Sequence, residues 1–152
     1  MFTSYKELRK SSSLQVCEIE QDTFSDPWSE EDFRSSLYEV NNDYIVADID
    51  GKVVGYCGYW GIVGEGYIYN VAVKREFRRQ KIGYSMLKTL LNESAGRGIT
   101  SFTLEVRYSN AAAIRLYESL GFIRAGIRKD FYSKPKEDAV IMWLNPIQQF
   151  PL

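Results

Sequence analysis

Lys74-Arg75-Glu76-Phe77-Arg78-Arg79-Gln80-Lys81-Ile82-Gly83 is the stretch on which the reading of this chain turns, with five bases and one acid in ten residues. The residues before it, Tyr67 to Val73, are mostly apolar and read as a central strand. The residues after it, Ile82 to Arg97, place Met86, Leu90 and Leu91 along one helical face and stop at Gly96 and Gly98. A basic loop that feeds a helix N-terminus is an anion site in waiting, because unpaired N–H groups and the helix dipole already favour negative charge there. Arginine and lysine beside those groups make phosphate the expected guest. A merely solvated basic loop is the plain alternative, since runs of like charge are usually exposed.

Working outward, Phe102, Leu104 and Val106 alternate as a further strand, so that strand, loop, helix and strand imply a parallel crossover. Asn110 can cap a helix from Ala111 to Leu120, closed by Gly121. Phe122 to Tyr132 and Ala139 to Leu144 read as a final antiparallel pair. On the N-terminal side, Ser11 to Thr23 carries a helical apolar stripe that ends at Asp26-Pro27-Trp28. Ser29 then caps a short helix with Glu30, Glu31 and Asp32 in its first turn and Phe33 and Leu37 on its apolar edge. Tyr44 to Ile49 and Lys52 to Trp60 flank the hairpin signal Asp50-Gly51, and Gly61 to Gly66 reads as a turn. The expected fold class is α/β (α+β): one domain over 1–152, a mixed sheet with helices on both faces and a loosely ordered tail over 146–152.

Composition restricts the chemistry. The 152 residues contain no histidine, which removes imidazole triads, His-ligated zinc and histidine phosphotransfer. The formal net charge of −1 conceals a division: residues 1–60 carry 12 acids and 5 bases, residues 61–152 carry 8 acids and 14 bases. Charge segregation of this kind suggests two differently charged binding surfaces. Cys17 and Cys57 lie in apolar surroundings without metal spacing, so they read as buried hydrophobes in a reducing cytoplasm. The first residues carry no secretory signal, no apolar run reaches membrane-spanning length, and no metal site is expected. Neither GxxxxGK[ST] nor GxGxxG occurs, and the bases are not interleaved with an aromatic platform, so nucleotide hydrolysis, Rossmann cofactors and nucleic acid rank low.

Arg78-Arg79-Gln80-Lys81-Ile82-Gly83 resembles the Q/R-x-x-G-x-G/A acetyl-CoA loop of the GNAT N-acetyltransferases. The run from Asn110 to Phe122, Asn-Ala-Ala-Ala-Ile-Arg-Leu-Tyr-Glu-Ser-Leu-Gly-Phe, is similar to the second conserved segment of that family. Leu104-Glu105-Val106-Arg107, Pro27-Trp28-Ser29 and the stretch Glu137 to Met142 extend the likeness to the RimI-type ribosomal-protein-alanine N-acetyltransferases, over nearly the whole chain. The resemblance implies a mostly antiparallel GNAT sheet whose parallel central pair, 67–73 and 101–106, splays apart. Acetyl-CoA would enter that splay. Its pantetheine arm would bond to the backbone of Val71, Ala72 and Val73, and its pyrophosphate to the loop spanning Arg78, Arg79, Gln80, Lys81, Ile82, Gly83 and Tyr84. Asn110 matches the side-chain contact to the arm. Glu105 matches the proton acceptor and Tyr117 the general acid, so the acetyl group would pass directly to the amine without a covalent enzyme intermediate.

Alternation sets Glu105 opposite to Phe102, Leu104 and Val106, and Tyr117 shares a helix face with Ala113 and Ile114. An exposed strand glutamate and a core tyrosine are the plain readings of the two. Trp28, Tyr69, Asn70 and Tyr132 are the expected acceptor-lining residues, from their places near the central strand and its flanking loops. The acceptor implied is a protein N-terminus, the alanine of a small-subunit ribosomal protein. The expected partner list stops there: no direct nucleic acid, no membrane, a monomer or weak homodimer. A GNAT acting on a polyamine or aminoglycoside and a non-catalytic acyl-CoA-binding module are the competing readings. Lys81 stands where the family usually has its first loop glycine, so the loop is expected to keep φ negative there, its ammonium facing a phosphate. The acidic N-terminal portion is expected to face a basic peptide and the basic C-terminal portion to hold coenzyme A phosphates.

Overall fold

Seven strands form one sheet in the order β1-β2-β3-β4-β5-β7-β6. They are β1 (Thr3–Glu7), β2 (Asn42–Ile49), β3 (Lys52–Ile62), β4 (Glu65–Val73), β5 (Ser101–Arg107), β6 (Ile123–Ser133) and β7 (Lys136–Leu144), with helices α1 (Ser13–Thr23), α2 (Glu30–Ser36), α3 (Ile82–Ala95) and α4 (Ala111–Ser119). The computed structural model describes residues 3–8, 13–24, 27–36 and 41–145, and only the backbone of Thr3, Ser4, Lys6, Glu7 and Asn70. The tail 146–152, Asp26 and Leu37 lie outside the described residues.

The local signals act as their chemistry predicts. Asp50 and Gly51 adopt φ of 53° and 84°, the pair of positive values that a tight hairpin turn requires. Ser29 and Asp32 close a reciprocal cap on α2: the Asp32 N–H donates to Ser29 Oγ at 3.1 Å and the Ser29 N–H donates to Asp32 Oδ2 at 2.9 Å. Asn110 Oδ1 accepts the Ala113 N–H at 3.2 Å and starts α4.

Two local expectations fail. The turn expected over Gly61 to Gly66 is only Val63-Gly64, with φ of 48° and 82°, and both flanking glycines lie inside strands. Gly66 is there for space: a Cβ would come within 2.2 Å of the Phe102 ring. The sequence also gave no sign of β1, a five-residue edge strand whose partner is β2. It carries almost no apolar periodicity, and its hydrogen-bonding edge recruits it.

The sheet separates two cores. On one face, α1 and α2 bury Val16, Cys17, Ile19 and Phe33 against Tyr44, Val46, Val53, Tyr56 and Ala72. On the other, α3 and α4 bury Ile82, Met86, Leu87, Leu90, Leu91, Ile114 and Tyr117 against Ile45, Cys57, Ile68, Phe102 and Leu104. β4, the fourth of seven strands, is central as expected, and its pairing with β5 is the sheet's parallel contact. That pairing runs from Glu65↔Ser101 to Ile68↔Leu104 and stops. At the same level the β3–β4 register jumps from Gly58↔Asn70 to Tyr59↔Ile68, leaving Tyr69 as an extra, bulged residue. Beyond it β4 pairs with β3 and β5 with β7, and a gap opens between 69–73 and 105–107.

Candidate active site

The edge of β4 that faces the gap has no strand partner beyond Ile68 among the described residues. Its backbone groups are therefore available to an extended polar arm. Val71 and Val73 pack partly toward the α3 core, while the Ala72 side chain is buried toward α1. The chain then makes a 3-10 turn over Arg75–Phe77 and reaches α3 through exposed Arg78, Arg79, Gln80 and Lys81. Ile82 is a core residue, so only its backbone is free for binding, and Gly83 and Tyr84 are half-buried in the first turn.

Lys81 has φ 61° and Arg79 has φ 64°. The expectation of negative φ at Lys81 is thus wrong. The loop keeps the left-handed turn although the glycine has gone, and Lys81 is also the residue from which α3 starts: its carbonyl accepts the Ser85 N–H at 3.0 Å. A lysine in that conformation costs about 1–2 kcal/mol. The five bases are also divided. Lys74, Arg75 and Arg78 line a cleft of about 350 Å³ against Asp22 and Thr23 of α1, with Arg78 Nε donating to the Val73 carbonyl at 3.0 Å.

Glu105 lies on the β5 face opposite to Phe102, Leu104 and Val106, as alternation requires, but it is not an exposed strand glutamate: its side chain is only 9% accessible. One carboxylate oxygen accepts the Tyr67 hydroxyl and the other accepts Arg128 Nη1 at 3.2 Å. Burial and the bond to Glu105 push the Tyr67 phenol well above its ordinary range. The Tyr67 ring stacks at 6.1 Å on Tyr69, and Tyr69 stacks at 5.4 Å on Trp28. The Tyr69 hydroxyl is tied to that of Tyr44 at 2.8 Å, and Tyr44 to Ser36 Oγ at 2.8 Å. Of the expected acceptor-lining residues, Trp28 and Tyr69 therefore sit in one wall that leads to Glu105. Tyr132 comes from β6, with its ring 4.2 Å beneath the Arg107 guanidinium. Burial lifts its phenol to about 12, with Arg107 opposing and Glu105 adding to the shift. The Asn70 side chain lies outside the description, although its backbone occupies the bulge beside Tyr69.

Tyr117 projects from α4 into the other core and is 7% exposed. Its ring packs at 5.8 Å against Phe122, and among the described residues no group hydrogen-bonds its hydroxyl. Burial raises that phenol strongly, with Tyr132 and Cys57 close enough to add to the effect. Glu105 and Tyr117 thus belong to opposite faces of the sheet, Glu105 lying just past the point where β4 and β5 part.

Sequence reasoning missed Tyr67 and Arg128. Tyr67 was within reach of it, because Tyr67 and Tyr69 alternate on one strand and Tyr67 pairs with Thr103, two residues before Glu105 on the same face. Arg128 was not, because two bulges in β6 decide which of its residues meets β5's neighbour β7. The charge map also needs correction. Glu20, Asp43 and Asp48 from the acidic portion are buried, and Arg107, Arg128 and Lys136 from the basic portion pair with Glu137, Glu105 and Asp130 beside the hairpin of β6 and β7. The C-terminal positive charge is therefore not all available to phosphates.

The sequence pattern of the acetyltransferase (GNAT) family matches residues 13–122. The chain belongs to the GNAT family. It is 40% identical over 128 residues to the ribosomal protein bS18-alanine N-acetyltransferase of Escherichia coli K12, covering 83% of this chain and 86% of that one. It is 32% identical over 141 residues to the N-alpha-acetyltransferase RimI of Mycobacterium tuberculosis, covering 89% and 87%. The crystal structure of the ribosomal-protein-S18-alanine N-acetyltransferase from Escherichia coli superimposes with a TM-score of 0.88 at 34% identity, over 97% of this chain and 96% of that one. As a GNAT acyltransferase the chain has acetyl-CoA as its family's co-substrate, and the unpartnered β4 edge and the cationic entry to α3 fit it.

Proposed function

We propose that this GNAT enzyme transfers acetyl from acetyl-CoA to the N-terminal α-amine of a protein, the alanine of a small-subunit ribosomal protein. What supports the reading is a carboxylate and a phenol on opposite faces of the sheet, Glu105 just past the end of the β4–β5 pairing and Tyr117 in the other core near Cys57 and Tyr132. The names of the bacterial relatives supply the acceptor.

The chain's residues divide the work. The β4 edge at Val71, Ala72 and Val73 aligns the thioester arm, the loop from Arg78 to Tyr84 holds the pyrophosphate, and the Asn110 amide, whose oxygen caps α4, offers its N–H groups to the arm. The wall of Trp28, Tyr69 and Tyr67, together with Tyr132, leads the amine to Glu105. Glu105 accepts the proton that the amine gives up, with the Tyr67 hydroxyl holding the carboxylate in place. As the new N–C bond forms and the C–S bond breaks, Tyr117 delivers its proton to the departing thiolate. Its raised phenol pKa is matched by the site, since burial also raises the proton affinity of a thiolate set free there. Neutralising an α-amine of pKa about 8 at pH 7 costs roughly 1 kcal/mol, whereas a lysine of pKa about 10.4 costs roughly 4.6 kcal/mol. A modest base such as a carboxylate therefore suits the first acceptor better than the second. Exposed Glu31 and Asp32 on α2, adjoining Trp28, suit a basic peptide. The two free, buried cysteines fit the cytoplasm, where we place the protein as a monomer or weak homodimer.

The test is acetyl transfer to an alanine-starting basic peptide, to the same peptide with a blocked terminus and an internal lysine, and to small amines, with mass spectrometry to place the acetyl group. Acetylation of the free α-amine is the expected result, and transfer confined to small amines would overturn the reading. Tyr117→Phe should lower kcat far more than it raises the acetyl-CoA KM, and Glu105→Gln should steepen the dependence of rate on pH. A kcat unchanged within about twofold removes Tyr117 as the acid, and an unaltered profile removes Glu105 as the base.

A further inference from the structure

Among the described residues, Glu20 is the most deeply buried carboxylate, 2% exposed, and the chemistry above does not use it. It lies on the apolar side of α1 with Val16, Cys17 and Ile19. A carboxylate in such a place is costly unless donors are fixed around it. Its donors are informative: Oε2 accepts the backbone N–H of Trp28 at 3.0 Å and Oε1 accepts the Tyr56 hydroxyl. Near it, the Cys17 thiol is directed at the Trp28 carbonyl at 3.8 Å. Both backbone polar groups of Trp28 are thus engaged by α1, although Trp28 itself belongs to the segment that leads into α2. The ring so placed packs against Phe33 at 5.2 Å and stacks on Tyr69, and the stack continues through Tyr67 to Glu105.

We propose that Glu20 is a positioning residue for the acceptor amine: by holding the Trp28 backbone it sets the aromatic wall of Trp28, Tyr69 and Tyr67 that aligns the incoming N-terminus with Glu105. The proposal rests on the reading of this chain as a protein N-α-acetyltransferase. It differs from a purely structural role in what it predicts. The backbone bond from Trp28 ties Glu20 to the acceptor wall, so its loss should act on the peptide rather than on acetyl-CoA.

Four variants of the full chain test this with an alanine-starting basic peptide and acetyl-CoA: Glu20→Ala, Glu20→Gln, Trp28→Ala and the double variant Glu20→Ala/Trp28→Ala. Glu20→Ala should raise the peptide KM about tenfold, the scale of one hydrogen bond to a charged group, with the acetyl-CoA KM unchanged within about twofold. Glu20→Gln should restore most of the wild-type KM, because its amide oxygen can accept from Trp28 while its NH₂ donates to Tyr56. The double variant should be no worse than Trp28→Ala alone, since both losses act through one residue. A lower Tm with an unchanged peptide KM, a parallel rise in both KM values, or additive effects in the double variant would each overturn the proposal. Should Glu20→Ala not fold, Tyr56→Phe, which removes one donor from the carboxylate, carries the same test: a raised peptide KM supports the proposal and an unchanged one overturns it. A wild-type enzyme that leaves the peptide unacetylated refutes the functional reading, whereas an active wild type with an indifferent Glu20 refutes this inference alone.

Discussion

Gly58→Ala is a one-methyl change that should be felt both in stability and at the acceptor wall. Gly58 lies directly across the strand pair from Tyr44. A Cβ there would stand 2.4 Å from Cδ1 and from Cε1 of the Tyr44 ring and 3.1 Å from Cγ. Carbon atoms settle about 3.5 Å apart, so the ring would have to retreat by about 1 Å. It has little freedom to do so. Tyr44 is buried, its ring edge meets Phe33 at 6.3 Å and Tyr69 at 6.1 Å, and its hydroxyl bridges Ser36 and Tyr69. Overpacking of this kind costs about 1–3 kcal/mol. Loss of the two hydroxyl bonds adds about 1 kcal/mol each. The expected destabilisation is about 3–5 kcal/mol, out of a total that for a domain of this kind is about 5–15 kcal/mol. Denaturant unfolding reads it directly, and the peptide KM should rise with it because Tyr69 loses its anchor. In a Tyr44→Ala background the space is empty, and adding Gly58→Ala should cost less than about 1 kcal/mol. Gly58→Ala within about 0.5 kcal/mol of wild type, or a cost that persists without the ring, would refute the steric reasoning.

Two further outcomes follow from the backbone and from burial. At Lys81, with φ 61°, Lys81→Gly should be more stable than Lys81→Ala by about 1 kcal/mol, while both variants raise the acetyl-CoA KM alike at low salt for want of the ammonium; equal stability of the two by denaturant titration would show that the left-handed turn carries no strain. Burial holds the phenols of Tyr44, Tyr59, Tyr67 and Tyr117 well above their ordinary 10 and that of Tyr132 at about 12. The fold keeps these protons longer than the unfolded chain, so this stabilisation is intact below pH 10 and is lost as the pH climbs through about 12 and beyond. Phenolate absorbance should rise together with unfolding, and a complete titration near pH 10 with the fold intact would contradict it.

Much of the architecture was legible because it rests on local chemistry. Alternation in 102–106 placed Glu105 on the face opposite to Phe102, Leu104 and Val106, Asp50-Gly51 had to turn, and Ser29 and Asn110 had to cap, since each depends on residues within one turn of itself. Lys81 was misread because a missing glycine in the sequence does not show the backbone conformation of the loop, which stays left-handed at both Arg79 and Lys81. Gly61 and Gly66 were misread as turn residues because a glycine's reason for being small can lie on another strand, here the ring of Phe102 beneath Gly66.

By itself, the sequence determined the order of the central elements, a basic loop feeding a helix N-terminus, and a chain without imidazole, while the resemblance to the family pointed to Glu105 and Tyr117. Tertiary structure decided which groups those two would meet. The bulge at Tyr69 ends the parallel pairing at Ile68↔Leu104 and opens the gap, the bulges of β6 deliver Arg128 to Glu105, and the packing of α1 buries Glu20 under Trp28. None of these is a property of a short segment. Each comes from the register between strands or the seating of a helix on the sheet, where a shift of one residue would turn every side chain to the other face.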